Sequence, residues 1–304
     1  MHISITGDLG SGKSSVAKIL CEKLEYKFIS TGVIQRKLGL EKGMNTLEFN
    51  QYANDNKEVD DYIDQHLKDI NNGDESYILD SRLAWFFVDK SFKVYLIAFN
   101  QIAAQRILND NNRIGEPNAT DVEKKIKESE KRRNIENQRF EKYYGVKYDM
   151  LDNFDLVVDT SYINSEQVAE LILTEYAKWK QKLPFNKLWF STKRIFPLES
   201  IKVIDTSAAK EIKDDMEKNG FNEDFPVSLI RFSNHFFIYD GHTRFSAALF
   251  NNLSLIPVEV VIREKETVIN GLPIEQYLKE KFQLNTVYDW EKAHSFNYFE
   301  YPIL

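Results

Sequence analysis

Along the first 180 residues the apolar positions alternate between two periods. His2 to Thr6 is β-like, and Lys13 to Leu24 then sets Val16, Ile19, Leu20 and Leu24 at helical spacing. Tyr26 to Ser30 returns to the strand pattern. From Thr46 to Ile70 the positions Phe49, Ala53, Val59, Ile63, Leu67 and Ile70 predict one or two helices. Tyr77–Asp80, Phe92–Ala98 and Phe154–Asp159 are further strands, with helical patterns at Gln101–Asn109, Asp121–Tyr144 and Ser165–Lys182 between them. Strands alternating with helices predict an α/β unit, a parallel sheet with helices on both faces.

Near residue 183 the pattern changes. Six of the seven prolines (Pro184, Pro197, Pro226, Pro257, Pro273 and Pro302) lie beyond it, and proline punctuates regular structure. This predicts two domains, 1–182 and 184–304, with Leu183–Trp189 as the linker. The second is expected to be smaller and α+β. It reads as a strand at Ile201–Ile204, a helix at Ser207–Asn219 and a strand at Val227–Phe232. Ser233-Asn234 then turns into Phe236–Tyr239 as a hairpin, followed by a helix near Thr243–Phe250 and a strand at Ile256–Ile262.

Composition narrows the class. The 304 residues are 42% hydrophobic and 29% charged, enough apolar material for packed cores and too much for a disordered chain. The net charge of −7 disfavours a broad surface for nucleic acid, which needs many cations on phosphates. No run approaches the ~20 apolar residues of a membrane span, and Met1–Thr6 lacks the features of a signal peptide. The lone Cys21 permits no internal disulfide, in keeping with a cytoplasmic location.

The strongest chemical signal is Gly7-Asp8-Leu9-Gly10-Ser11-Gly12-Lys13-Ser14, a complete G-x-x-x-x-G-K-S between an expected strand and an expected helix. Glycines at 7, 10 and 12 allow backbone conformations in which successive N–H groups point inward, and the helix start adds its positive end. Gly7, Gly10, Ser11, Gly12, Lys13, Ser14 and Ser15 are therefore the candidate cradle for ATP. Lys13 is placed to reach the β- and γ-phosphates and Ser14 to ligate Mg2+.

Phosphoryl transfer also needs cations around the charge spread over phosphate oxygens. Ser30-Thr31-Gly32-Val33-Ile34-Gln35-Arg36 reads as a strand end and glycine turn, with Arg36 one helical turn later. Asp80-Ser81-Arg82 ends another strand, with Asp80 a second ligand for hydrated Mg2+ and Arg82 a partner for an acceptor phosphate. The charged stretch Arg113 to Arg139, containing Arg132 and Arg133, is expected as a mobile lid. Asp60, Asp61 and Asp64 are conceivable partners for an exocyclic amine, although an acidic helix face is the simpler reading.

These segments together resemble the short, archaeal-type cytidylate kinases over residues 1 to about 180. The resemblance rests on Gly7–Ser15, Ser30–Arg36, Met44–Asn50, Leu79–Ala84, Glu128–Arg133, and Tyr144-Gly145-Val146 through Asp155–Ser161. It implies an adenylate-kinase-like fold, Mg·ATP as donor and CMP or dCMP as acceptor. By the same analogy Thr31, Gly32, Arg36 and Arg82 face the acceptor nucleotide, while Arg132 and Arg133 act catalytically with Lys13. The chain departs from the family at Ser81, where glycine is usual, and at Val33, where a small or polar residue is common.

In the second domain Phe237–Phe245 reads as strand, sharp turn and helix start. Asp240 is expected to cap the helix, with Gly241, His242, Thr243 and Arg244 crowding donors at its positive end. With Pro226-Val227 upstream and Leu253–Val258 downstream, the region 190–265 resembles the ParB/sulfiredoxin-like superfamily. That superfamily includes nucleotide-binding partition proteins, sulfiredoxins and kinases of free serine. Position 241 is glycine where sulfiredoxins carry their catalytic cysteine, and only about 40 residues remain for a helix-turn-helix. A serine-kinase-like or nucleotide-sensing role survives, with Glu199 and Asp205 as candidate carboxylates. The partners expected for the whole chain are nucleotides and small-molecule substrates. A kinase of other specificity and a nucleotide-gated binding protein are the alternatives. Trp85, Trp179, Trp189 and Trp290 read as core or domain-contact residues, and the aromatic tail from Tyr288 as a packed segment.

Overall fold

The computed structural model describes residues 1–110, 121–201, 206–263 and 268–302. Arg113, Asp205 and positions 202–204 of the strand expected at Ile201–Ile204 lie outside the described residues. The chain divides into two compact units, Met1–Leu183 and Pro184–Leu304.

In the first unit five strands, β1 (His2–Gly7), β2 (Lys27–Ser30), β3 (Tyr77–Asp80), β4 (Ser91–Ile97) and β5 (Leu156–Asp159), lie in the order β2-β3-β1-β4-β5. All pairings are parallel. β1 is central: Ile5 pairs with Asp80 on one side and Val94 on the other, and all six of its residues are buried. A strand covered on both faces requires that. Chain order runs from β1 out to one side and later to the other, so the switch point falls at the carboxyl end of β1, where open α/β sheets bind ligands.

Eight helices join these strands among the described residues: α1 (Lys13–Leu24), α2 (Thr31–Glu41), α3 (Thr46–Asp55), α4 (Glu58–Asn72), α5 (Ala84–Phe87), α6 (Asn100–Leu108), α7 (Val122–Tyr144) and α8 (Ser165–Lys180). α1 buries Val16, Ala17 and Leu20 and packs against α8, which buries Val168, Ala169 and Ile172. The Thr46–Ile70 pattern divides into α3 and α4. Asn45 starts α3 by accepting from the backbone of Leu47 and Glu48, and Glu48 completes a capping box. Apolar periodicity predicts neither α2 nor α5. Gly32 falls in the first turn of α2, so Ser30-Thr31-Gly32 is a helix start rather than a turn.

The second unit has a mixed sheet of β6 (Leu188–Ser191), β7 (Ile195–Phe196), β8 (Val227–Phe232), β9 (His235–Asp240) and β10 (Leu255–Arg263), ordered β6-β10-β8-β9-β7. β10 is antiparallel to β6 and parallel to β8; β8 and β9 form the expected hairpin, with Ser233 at φ 51° in its turn. A small ribbon, β11 (Val268–Ile269) with β12 (Leu272–Pro273), and helices α9 (Thr206–Asn219), α10 (His242–Phe250), α11 (Ile274–Lys281) and α12 (Leu284–His294) complete it. The linker expected at Leu183–Trp189 is shorter than its sequence suggests, because β6 begins at Leu188 and the Trp189 side chain is buried. The aromatic tail packs within its own unit. Tyr298 stacks on Phe196 at 4.5 Å between ring centres and donates its hydroxyl to the Ile195 carbonyl at 2.6 Å. Among the described residues no helix is long and apolar enough to cross a membrane.

Candidate phosphoryl-transfer site

The loop between β1 and α1 is shaped by its glycines. Gly10 has φ 79° and Gly12 φ 84°, in the left-handed region that a side chain resists. Space is as restrictive as torsion: a Cβ on Gly7 would lie 2.3 Å from the Leu96 carbonyl oxygen, and one on Gly10 2.4 Å from that of Ala103. The loop is thus pressed against β4 and α6. Lys13 folds its ammonium back onto the loop, donating to the carbonyls of Gly7 at 3.0 Å and Asp8 at 2.6 Å. Ser11 donates its hydroxyl to the Asp8 carbonyl at 2.8 Å, while Ser15 is exposed on α1.

β3 brings Asp80 to the same edge. Ser14 donates to Asp80 Oδ2 at 2.9 Å, and Ser30, the residue before α2, lies 3.4 Å from the same oxygen. A hydroxyl beside a carboxylate is a hard-oxygen donor pair suited to Mg2+. Among the described residues no group of three or more His, Cys, Asp or Glu side chains could hold a metal, so this pair would rely on phosphate oxygens and water to complete an octahedron.

Two of the expected arginines meet on one carboxylate. Arg82 donates from Nε to Glu136 Oε2 at 3.0 Å, and Arg132 from Nε to Glu136 Oε1 at 2.8 Å. Burial pushes the Glu136 carboxyl up, but the guanidiniums of Arg82 and Arg132 outweigh it and hold it at about 2. Arg82 also donates to the Gly7 carbonyl and lies 4.7 Å over the Tyr148 ring, which ties this cluster to the loop. Arg133 reaches the loop from the same helix, 3.1 Å from Asp8 Oδ1, while Asp8 Oδ2 accepts from the Ala98 backbone N–H. Arg36 is elsewhere. Its guanidinium lies over the first turn of α2, where a Cβ on Gly32 would approach Nη1 to 3.5 Å; Thr31 beside it is buried.

The described part of the expected lid, residues 121–139, lies at the start and along the length of one continuous helix, Val122–Tyr144, whose Lys125, Arg132, Glu136 and Arg139 are buried. The acidic stretch of α4 is likewise not simply a solvated face. Asp61 is exposed, but Asp60 and Asp64 are buried against α7. Asp60 Oδ2 lies 3.2 Å from Arg139 Nε, and Tyr144 donates to Asp64 Oδ2 at 2.5 Å. Burial pushes Asp60 up to about 6 despite the pull of Arg139. An open cleft lies between Leu9 of the loop, Thr46 and Leu47 at the start of α3, and Lys125, Ser129 and Arg132 of α7.

In the second unit the turn differs from the sequence expectation. Asp240 does not cap α10: Gly241, at φ 100°, occupies the cap position without a side-chain hydrogen bond. The Asp240 carboxylate instead accepts from Arg244 Nη2 at 2.8 Å. His242 is turned inward rather than presented as a surface donor. Its Nε2 accepts from the Leu198 backbone N–H at 3.2 Å, and its Nδ1 faces Glu199 Oε2 at 3.6 Å. Thr243 is half-buried in the first turn.

Sequence reasoning assigned no role to Asp8, Glu136 or Tyr148, and expected Arg139 over the phosphates rather than buried beside Asp60. The one local signal was Glu136 four residues after Arg132, a spacing that places both on one helix face.

The model of the cytidylate kinase-like family matches residues 2–162. The cytidylate kinase of Archaeoglobus fulgidus is 34% identical over 174 residues, 57% of this chain and 93% of that protein. That of Sulfolobus acidocaldarius is 37% identical over 175 residues, 57% of this chain and 92% of that protein. Among solved structures, Arabidopsis thaliana sulfiredoxin aligns over 33% of this chain and 99% of its own, at 16% identity and a TM-score of 0.25, a likeness too slight to carry an argument.

Proposed function

The chain belongs to the cytidylate kinase-like family, and from that premise we propose that its first unit transfers the γ-phosphoryl group of ATP to CMP or dCMP. As a member of that family, with relatives 34% and 37% identical, it is a nucleoside monophosphate kinase; the pyrimidine acceptor is the finer reading. The observation that carries it is the 2.9 Å contact of Ser14 with Asp80 beside the glycine loop, with Arg82 and Arg132 gathered on Glu136 close by.

In this reading the amides of Gly7–Ser15 and the Lys13 ammonium bind the donor phosphates, Lys13 leaving the loop carbonyls it now caps. Ser14 and Asp80 hold Mg2+, which when bound offsets the charge of the donor phosphates. Arg82 orients the acceptor phosphate, held in place by Glu136 and Tyr148. Arg132 and Arg133 stabilise charge on the oxygens of the transferred group. Thr31, Gly32 and Arg36 complete the acceptor side from α2. A cytoplasmic location belongs to the same reading, since the substrates are soluble nucleotides.

The second unit, residues 184–304, is read as a ParB/sulfiredoxin-like domain that takes a phosphate-bearing ligand at Asp240–Arg244. The support is the sequence pattern together with the α10 start, where Gly241 lets the chain turn and Thr243 and Arg244 stand in the first turn. A second reading, a small-molecule kinase centre there, is favoured by the 3.6 Å approach of Glu199 to His242. Phosphorylation that survives Lys13→Ala and disappears in Asp240→Ala would support it.

The deciding experiment is a coupled assay of the full chain with Mg·ATP and a panel of nucleoside monophosphates. Turnover of CMP and dCMP is expected. Failure to phosphorylate any pyrimidine monophosphate overturns the acceptor assignment.

A further inference from the structure

We propose that Asp8 is a positioning residue of the phosphoryl-transfer site, holding Arg133 against the glycine loop so that its guanidinium meets the transferred group; the assignment rests on the kinase reading above. A carboxylate is out of place in this loop. The loop gathers N–H groups and the Lys13 ammonium for a triphosphate, and a negative side chain directly after Gly7 opposes the binding of that charge. Yet Asp8 is buried, and three donors converge on it. Its Oδ1 accepts from the Tyr95 hydroxyl of β4 at 3.1 Å and from Arg133 Nη2 of α7 at 3.1 Å, while Oδ2 accepts from the Ala98 backbone N–H at 3.0 Å.

Two of these donors fix the carboxylate, and the third is what it holds. The Ala98 N–H belongs to the backbone just past β4, and Tyr95 is a buried side chain of that strand. Burial and the Asp8 charge push the Tyr95 phenol well up, so it keeps its proton and donates. The Asp8 rotamer is thereby set from the sheet. The backbone of the same residue is held as firmly, its carbonyl accepting from Lys13 Nζ at 2.6 Å and from the Ser11 hydroxyl at 2.8 Å. Oδ1 retains a second lone pair, and Arg133 takes it.

The way Arg133 is held separates it from the other two arginines. Arg82 and Arg132 each give Nε to Glu136, a carboxylate of α7 itself. Arg133 gives Nη2 to a carboxylate of the loop, and its side chain stays 30% exposed. Held at one end of its fork, the guanidinium keeps Nε and Nη1 for phosphate oxygens. Its position therefore follows the loop, and with it the donor phosphates, rather than the acceptor. The pair also cancels the Asp8 charge where the triphosphate is to sit, and removing either partner leaves a charge uncompensated.

The test is a double-mutant cycle on kcat, run on the full chain with saturating Mg·ATP and its best nucleoside monophosphate, for wild type, Asp8→Asn, Arg133→Met and the double variant. Rates are expressed per ATP-binding site counted by calorimetry, so the fraction of protein that folds does not enter. The Asn amide oxygen can still accept from the Ala98 N–H, but its nitrogen then faces Arg133 with a donor and releases it. Asp8→Asn should lower kcat about 10–100-fold with KM for the acceptor unchanged. In the Arg133→Met background the same substitution should cause no further loss, because the group it positions is gone. A merely structural Asp8 lowers kcat by the same factor in both backgrounds. That outcome, or a wild-type kcat in Asp8→Asn or in Arg133→Met, overturns this assignment alone. Should Asp8→Asn fail to fold, Tyr95→Phe takes its place in the cycle. Loss of the phenol donor loosens the same carboxylate and should lower kcat severalfold only where Arg133 is present; an unchanged kcat, or an equal fall without Arg133, overturns the assignment. No turnover of any monophosphate by wild type overturns the kinase reading and this inference with it.

Discussion

Arg82 donates to Glu136 Oε2 at 3.0 Å while the other oxygen of the same carboxylate takes Arg132 at 2.8 Å. Glu136 is therefore the hinge-pin of the cationic side of the site: a nearly inaccessible carboxylate holding two guanidiniums beside the loop. Removing one partner from a buried ion pair leaves uncompensated charge, at a cost of about 3–5 kcal/mol. Glu136→Gln should lose stability on that scale in urea denaturation of the full chain at pH 7, and activity with it.

The same carboxylate sets an acid limit. Its folded value of about 2 lies below its ordinary 4.5. Between these values the unfolded chain binds the proton and the folded chain does not, so stability rises with pH through the window. The contribution, on the order of 3 kcal/mol, is complete above pH 4.5 and lost as pH falls toward 2. Wild type should show a steeper fall in denaturation midpoint across that range than Glu136→Gln. Equal slopes would show that Glu136 is not depressed.

Asp80→Asn keeps an oxygen for the Ser14 hydroxyl but removes the negative charge. The expected result is a fall in kcat of roughly 10²-fold or more, with saturation only at higher Mg2+. Steady-state rates across a Mg2+ titration report it. A variant whose Mg2+ dependence matches wild type would remove Asp80 from the metal site.

Gly10→Ala tests the loop itself. Its Cβ would meet the Ala103 carbonyl oxygen at 2.4 Å and sit at φ 79°. Backbone must yield at one of the two places, an overpacking cost of about 1–3 kcal/mol. ATP affinity by calorimetry should fall together with the thermal midpoint. ATP binding at wild-type strength would mean that the loop tolerates a shifted path.

The first unit was legible wherever one face of an element was apolar. The α1 span follows from periodicity because Val16 and Leu20 share one buried helix face, and the β3 span from its short apolar run, Ile78 and Leu79 filling the two covered faces of the sheet. Periodicity fails where charge is buried against charge. Along α7 the inner face carries Arg132, Glu136 and Arg139, so a hydropathy reading takes it for a solvated helix, and the acids of α4 that face it are misread for the same reason. The turn at Asp240 shows a second limit. A carboxylate before a helix satisfies the capping pattern in sequence, yet Arg244 one helical turn on offers a stronger, charged partner and takes it away. Contacts between residues 54 positions apart, such as Arg82 with Glu136, leave no local trace at all.

His242 supplies a pH test of the second unit that does not depend on its ligand. Burial lowers its imidazole to about 4 from an ordinary 6.5, against a smaller opposing pull from Asp240. The neutral ring is what the fold uses, because Nε2 must accept from the Leu198 N–H, and protonation would set two donors against each other. Between pH 4 and 6.5 the unfolded chain binds the proton and the folded chain does not. Stability from this residue is thus complete above pH 6.5 and declines as pH drops toward 4, by on the order of 3 kcal/mol. NMR titration of the His242 ring should give a midpoint well below the ordinary histidine range, and His242→Gln should flatten the decline in thermal midpoint over the same interval. A midpoint near 6.5 would instead place the ring in solvent and break the assigned bond to Leu198.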